Sequence, residues 1–223
     1  MKVTTIKKCL LSAAIVLFCG FSGFSQGITT AKEFFKEVSD KYATFKDYQA
    51  TVDIKIDQKQ MRATVLYMAP DKMRMDFTEP SEQTIVYDGK KLICYLPESA
   101  AVLTQETANS NPATAEGLSL LGRYYSVSYE QAQDAVPLED GSDEMVIKLI
   151  CWRRAATESF RYVKLFVDPN TKLIRRIIAV TPGGVNYQFD FKNYELNQGL
   201  TEKRFQYDIP SAANTYDNFL YSE

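Results

Sequence analysis

Residues 62–105 read RATVLYMAPDKMRMDFTEPSEQTIVYDGKKLICYLPESAAVLTQ, five short apolar or alternating runs cut by Pro70, Pro80, Asp88-Gly89 and Pro97. Alternation over four to eight residues marks a half-buried strand, and Pro and Asp-Gly are turn chemistry, so the stretch predicts an antiparallel meander. In its third run Met73, Met75 and Phe77 share one side and Lys72, Arg74 and Asp76 the other, because side chains alternate along a strand. One face is therefore large and apolar, and the opposite face is charged.

The residues before the meander extend the pattern. Residues 48–57 alternate without a break, Tyr48, Ala50, Val52, Ile54 and Ile56 against Gln49, Thr51, Asp53, Lys55 and Asp57. That is a strand with one dry and one wet side. Upstream, Ala31, Phe34, Phe35, Val38 and Tyr42 fall on one face at helical spacing, behind Thr29 or Thr30 as a cap and Glu33 in the first turn. A helix is expected over 27–45, and its aromatic stripe has to be covered.

Beyond Gln105 the alternation stops. Residues 106–114 are small and polar, and 115–122 form a short helix candidate carrying Leu118, Leu120 and Leu121. Strands resume at 124–130, 145–152, 160–168, 173–181 and 185–195, with Asp168-Pro169-Asn170 and Pro182-Gly183-Gly184 as turns. The 145–152 run is apolar on both faces apart from Lys148, which places it mid-sheet. In the 185–195 run Val185, Tyr187, Phe189 and Phe191 line one side. Phe205 and Tyr207 suggest a last strand, and Pro210 opens a polar tail. About ten or eleven antiparallel strands at this spacing predict an all-β, incompletely closed barrel covered by an N-terminal helix and a small lid helix.

Residues 1–25 are set apart. Lys2, Lys7 and Lys8 precede an apolar stretch over 10–21, with the small residues Gly23 and Ser25 behind it. This is the order of a secretory signal cut near Ser25. Cys19 sits where a lipidated cysteine could, but the bulky Phe18 before it argues for simple cleavage. Residues 26–223 are then expected to form a single domain.

The chemistry that is missing narrows the function. There is no histidine among 223 residues, which removes Ser-His-Asp, Cys-His and histidine-based metal sites. No Gly-rich phosphate loop or G-x-S-x-G elbow is present. The carboxylates Glu139, Asp140, Asp143 and Glu144 read as a solvated loop. Outside the leader only Cys94 and Cys151 remain, expected as buried free thiols. The formal charge is −2, with three lysines in the leader, so neither nucleic acid nor an anionic membrane is a charge-driven partner. The expectation is a non-enzymatic binder of apolar ligands, without metal or cofactor.

What is abundant is adaptable apolar area: 14 Tyr, 13 Phe and 6 Met. Methionine suits linings that accept ligands of varied shape. Met73, Met75, Phe77, Tyr87 and Phe189 are the candidate cavity residues, Leu118, Leu120 and Leu121 the candidate lid, and Phe34, Phe35 and Val38 the covering face of the first helix.

The order Pro70, Met73-Arg74-Met75-Asp76-Phe77, Pro80, then 84–95 as TIVYDGKKLICY, resembles the periplasmic outer-membrane lipoprotein carrier and chaperone family. The resemblance implies a half-barrel carrier, working as a monomer in the periplasm. It would take lipoproteins by their acyl chains from an inner-membrane release complex and deliver them to an outer-membrane acceptor. It also implies that the 115–122 helix closes over the cavity mouth. A half-barrel sensor, or a carrier of another lipid or small hydrophobic ligand, would share these features. Family carriers commonly have arginine before the strand-opening proline as a lid latch. Here Ala69 stands before Pro70, so a looser lid is expected, or one latched by Arg62 or Arg123.

Overall fold

The computed structural model describes residues 29–106 and 115–219, with residues 115 and 116 described by backbone alone. The expected cleavage near Ser25, Cys19 and nearly all of the polar loop at 106–114 lie outside the described residues.

Helix α1 (Ala31–Ala43) begins with a capping box: the Thr30 hydroxyl accepts from the Glu33 amide at 3.2 Å, and the Glu33 carboxylate accepts from the Thr30 amide at 2.9 Å. Two backbone donors at the helix start are thereby satisfied reciprocally. Phe34, Phe35, Val38 and Tyr42 form its buried face.

The chain then runs through β1 (Asp47–Ile56), β2 (Lys59–Met68), β3 (Lys72–Glu79), β4 (Ser81–Tyr87), β5 (Lys91–Leu96) and β6 (Ala101–Glu106). Helix α2 (Ala115–Tyr124) follows, then β7 (Tyr125–Tyr129), β8 (Val136–Pro137), β9 (Met145–Arg153), β10 (Tyr162–Val167), β11 (Ile174–Val180), β12 (Asn186–Leu196) and β13 (Asn214–Asp217). All belong to one open sheet of order β13-β6-β5-β4-β3-β2-β1-β12-β11-β10-β9-β7, with β8 paired to β9. The chain's two halves meet where β1 pairs with β12.

Register carries one apolar row across the inner face. Met61, Ile54, Phe189, Ile177, Leu165, Leu149 and Tyr129 stand opposite one another on seven successive strands. A one-residue slip anywhere would turn that strand's apolar set outward, so the pattern holds the register. Both helices pack on this face, and the hydroxyl of Tyr129 donates to the Thr29 carbonyl at 2.8 Å, tying β7 to the start of α1.

Three expectations are corrected. Phe205 and Tyr207 do not lie in a strand. Residues Glu202–Phe205 form a 3₁₀ turn on the outer face of β3, where the Arg74 guanidinium donates to the Arg204 and Gln206 carbonyls at 3.1 and 3.2 Å. Those carbonyls are met by a cation instead of a neighbouring strand. The last strand lies instead within the expected tail, and β13 pairs with β6 in parallel, so the sheet is not wholly antiparallel. Finally, β9 is second from one edge, not mid-sheet. Its outward Val146 is fully buried because the chain returns beside it through β8.

The outer face of β3 is also drier than its charged alternation implies. Leu66 and Val86, the partners of Arg74 on the two flanking strands, are 0% and 1% exposed, and Phe205 is 1% exposed. The C-terminal segment covers them, held further by Lys72 to Glu202 at 2.8 Å. Asp47 fixes where that segment leaves β12, accepting from the Gln198 and Gly199 amides at 2.7 and 3.0 Å.

Candidate functional site

The inner face, α1 and α2 line an apolar cavity of about 670 Å³ that is partly open to solvent. Its walls come from both halves of the sheet: Val52 of β1, Val65 of β2, Met73 and Met75 of β3, Leu165 of β10, Ile177 of β11, and Phe189 and Phe191 of β12. Leu118, Leu120 and Leu121 of α2 close one side.

Of the candidate cavity residues, Met73, Met75 and Phe189 line this space, while Phe77 and Tyr87 do not. Phe77 is 7% exposed within the packed core. Tyr87 sits opposite Met73 on the same face, but it too is buried outside the cavity. All three lid leucines line it, with Leu118 buried and Leu120 and Leu121 half-buried. Phe34, Phe35 and Val38 are packed core beneath α1, and from that helix Tyr42 alone reaches the cavity among the described residues. The remaining wall includes Tyr48, Tyr125, Phe160 and Tyr194. Tyr48 was legible from the alternation of its strand. Phe160 was expected to open a strand over 160–168, but β10 begins at Tyr162 and Phe160 lies in the loop before it, so strand parity does not say which way it faces.

The latch arginines are placed elsewhere. Arg62 lies on the outer face, donating to Asp53 at 2.6 Å, and this bond holds the Asp53 carboxyl below its usual range. Arg123 is exposed in the last turn of α2. Ala69 is exposed, and its amide donates to the Lys46 carbonyl at 2.8 Å. What holds α2 is close packing. A Cβ on Gly122 would stand 3.0 Å from Phe35 Cε1, so glycine lets this helix approach α1.

Polar atoms in the cavity wall are mostly paired with the protein. The Tyr42 hydroxyl accepts from the Ile174 amide at 3.0 Å, and the Tyr194 hydroxyl donates to the Ile174 carbonyl at 2.9 Å. The Tyr125 hydroxyl donates to the Phe160 carbonyl at 3.2 Å. Burial pushes the Tyr42, Tyr48 and Tyr194 phenols up, so all three are neutral. Cys151 lies in the core with its thiol pushed up to about 12 by burial, and Cys94 stands far off on β5; both are free. Among the described residues no group of three or more acidic, His or Cys side chains could hold a metal. The arrangement offers an apolar, deformable space for a hydrocarbon.

The family model described as outer membrane lipoprotein carrier protein LolA matches residues 42–208. An outer-membrane lipoprotein carrier protein of Methylibium petroleiphilum is 26% identical over 202 residues, covering 91% of this chain and 94% of that protein. Among solved structures, an uncharacterized conserved protein from Thermus thermophilus aligns with TM-score 0.55 at 17% identity, over 82% of this chain and 98% of the other. A chain of the Pseudomonas aeruginosa MucA/MucB complex aligns with TM-score 0.51 at 13% identity, over 82% of this chain and 62% of that one. These two share the fold. The family match spans the sheet from the end of α1 through the 3₁₀ turn that covers β3, and with it the chain belongs to the LolA family of outer membrane lipoprotein carriers.

Proposed function

We propose that this protein carries lipoproteins through the periplasm by sheltering their acyl chains in the cavity between the sheet and α2. The observation that carries the reading is the cavity itself: about 670 Å³, walled by methionine, leucine and aromatic side chains. A methylene needs about as much room as a water's share of the liquid, ~30 Å³, so the space suits roughly twenty methylenes, one long acyl chain. A lipid anchor with two or three chains requires α2 to move aside.

Transfer then needs no covalent step. Each buried methylene stabilises the bound state by about 0.8 kcal/mol, which would make release too slow unless the empty form also covers its lining. Helix α2, with Leu118 buried against that lining, supplies the cover. The donor would be an inner-membrane release complex and the acceptor an outer-membrane receptor with higher effective affinity.

A photo-crosslinking residue at Met75 should capture lipoprotein in cells, while one at Lys55, on the outer side of β1, should not. Equal capture from both positions would sink the proposal. A carrier of another lipid would fill the same cavity. The MucA/MucB complex also gives precedent for a fold of this shape that holds a protein partner. Native mass spectrometry of the protein taken from its own periplasm separates these: bound lipoprotein, free lipid, or a stoichiometric protein partner.

A further inference from the structure

Tyr48 is the exception among the buried phenols of the cavity wall. Its ring is wedged among Tyr42, Phe45, Tyr67 and Tyr194, with centroids 5.2 to 6.4 Å away, and the residue is 6% exposed. It lines the cavity, yet its hydroxyl makes no hydrogen bond to any of the described residues. The bonds that the neighbouring phenols make run elsewhere. Tyr42 and Tyr194 are committed to the backbone of Ile174, and the Tyr67 hydroxyl donates to the Pro70 carbonyl at 3.1 Å.

Water can satisfy this donor while the cavity is empty, but a ligand that displaces the water without offering an acceptor leaves a buried polar group that keeps its desolvation penalty. A pure hydrocarbon offers none. A molecule with an apolar tail and an acceptor near it does, and the simplest such group is an acyl ester.

We propose that Tyr48 is a ligand-recognition residue whose hydroxyl donates to the ester carbonyl of a bound acyl chain, so that the cavity selects acyl esters over plain alkyl chains. This rests on the carrier reading and adds a chemical preference to it.

The test uses the full protein and two synthetic diacyl lipopeptides with the same peptide and chain length, one ester-linked and one ether-linked. The wild type should bind the ester form roughly three- to tenfold more tightly, the range of one net hydrogen bond. Tyr48→Phe should bind both forms equally, at the affinity of the ether. With ¹³C-labelled carbonyls, the infrared stretch of the bound ester should be shifted down in the wild type and not in Tyr48→Phe. Equal binding of both lipopeptides by the wild type, or a preference that survives Tyr48→Phe, overturns the Tyr48 assignment and leaves the carrier reading standing. If neither lipopeptide binds, the carrier reading falls and this proposal falls with it.

Discussion

Tyr42 and Tyr194, 152 residues apart, bring their hydroxyls within 3.2 Å and together satisfy both backbone groups of Ile174. Since Tyr194 gives its proton to the Ile174 carbonyl, Tyr42 gives its own to Tyr194, and the chain of donors closes. β11 pairs with β12 only from Arg176 onward, so the backbone at Ile174 has no strand on that side. Two phenols, one from α1 and one from β12, replace the missing ladder and pin the helix to the sheet.

Tyr42→Phe keeps the ring packing and leaves a buried amide unpaired, which should cost about 1–3 kcal/mol. Tyr194→Phe should do the same through the carbonyl, and the double variant should lose less than the sum because the two share one network. Tyr48→Phe, which breaks no internal bond, should stay within about 0.5 kcal/mol of the wild type. Urea unfolding of the wild type and these variants decides the matter. Equal effects at positions 42 and 48 would contradict the network.

Stability should fall in alkali. Cys151 stays protonated in the folded protein up to about 12, whereas an unfolded thiol ionises near ~8.5 and an unfolded tyrosine near ~10. Above those values the unfolded chain sheds protons that the folded chain keeps, so stability declines by up to about 1.4 kcal/mol per pH unit for each such group. The decline should begin near pH 9 and steepen past 10, as Tyr42, Tyr48 and Tyr194 join. Urea midpoints between pH 7 and 11 trace it, and Cys151→Ala should flatten the first part of the slope.

Gly122→Val would force a side chain against Phe35, a core residue 6% exposed that has little room to give. α2 should lift, and an environment-sensitive lipid dye should enter faster, as it should in Leu121→Glu. A lowered melting temperature with unchanged dye entry would make α2 a fixed cover.

Phe205→Ala should destabilise the protein by about 3–5 kcal/mol, the usual range for a buried Phe. It should also expose 197–219 to limited proteolysis, while dye binding on the inner face persists. Loss of dye binding at full stability would mean that the outer segment reaches the cavity.

The period-2 alternation of 48–57 and 62–105 already carried the strands, the inner face and the apolar lining at Met73 and Met75, because side-chain direction in a strand depends on parity alone. The Thr30–Glu33 box and the 3.6-residue stripe likewise specified α1. Parity does not say how far along a strand the cavity extends. Phe77 and Tyr87 share the inner face with Met73 and Met75, but their places are filled with packing, and that depends on which neighbours the curled sheet brings against them.

The C-terminal segment lay furthest from view. Phe205 reads as a strand residue until Arg74 is found waiting on the outer face, and β13 joins a strand formed more than a hundred residues earlier. Local pattern determined which residues turn inward. Only the pairing of β1 with β12, which joins the two halves of the chain in the middle of the sheet, decided which of them face empty space, because a cavity is a property of elements distant in the chain and not of any one of them.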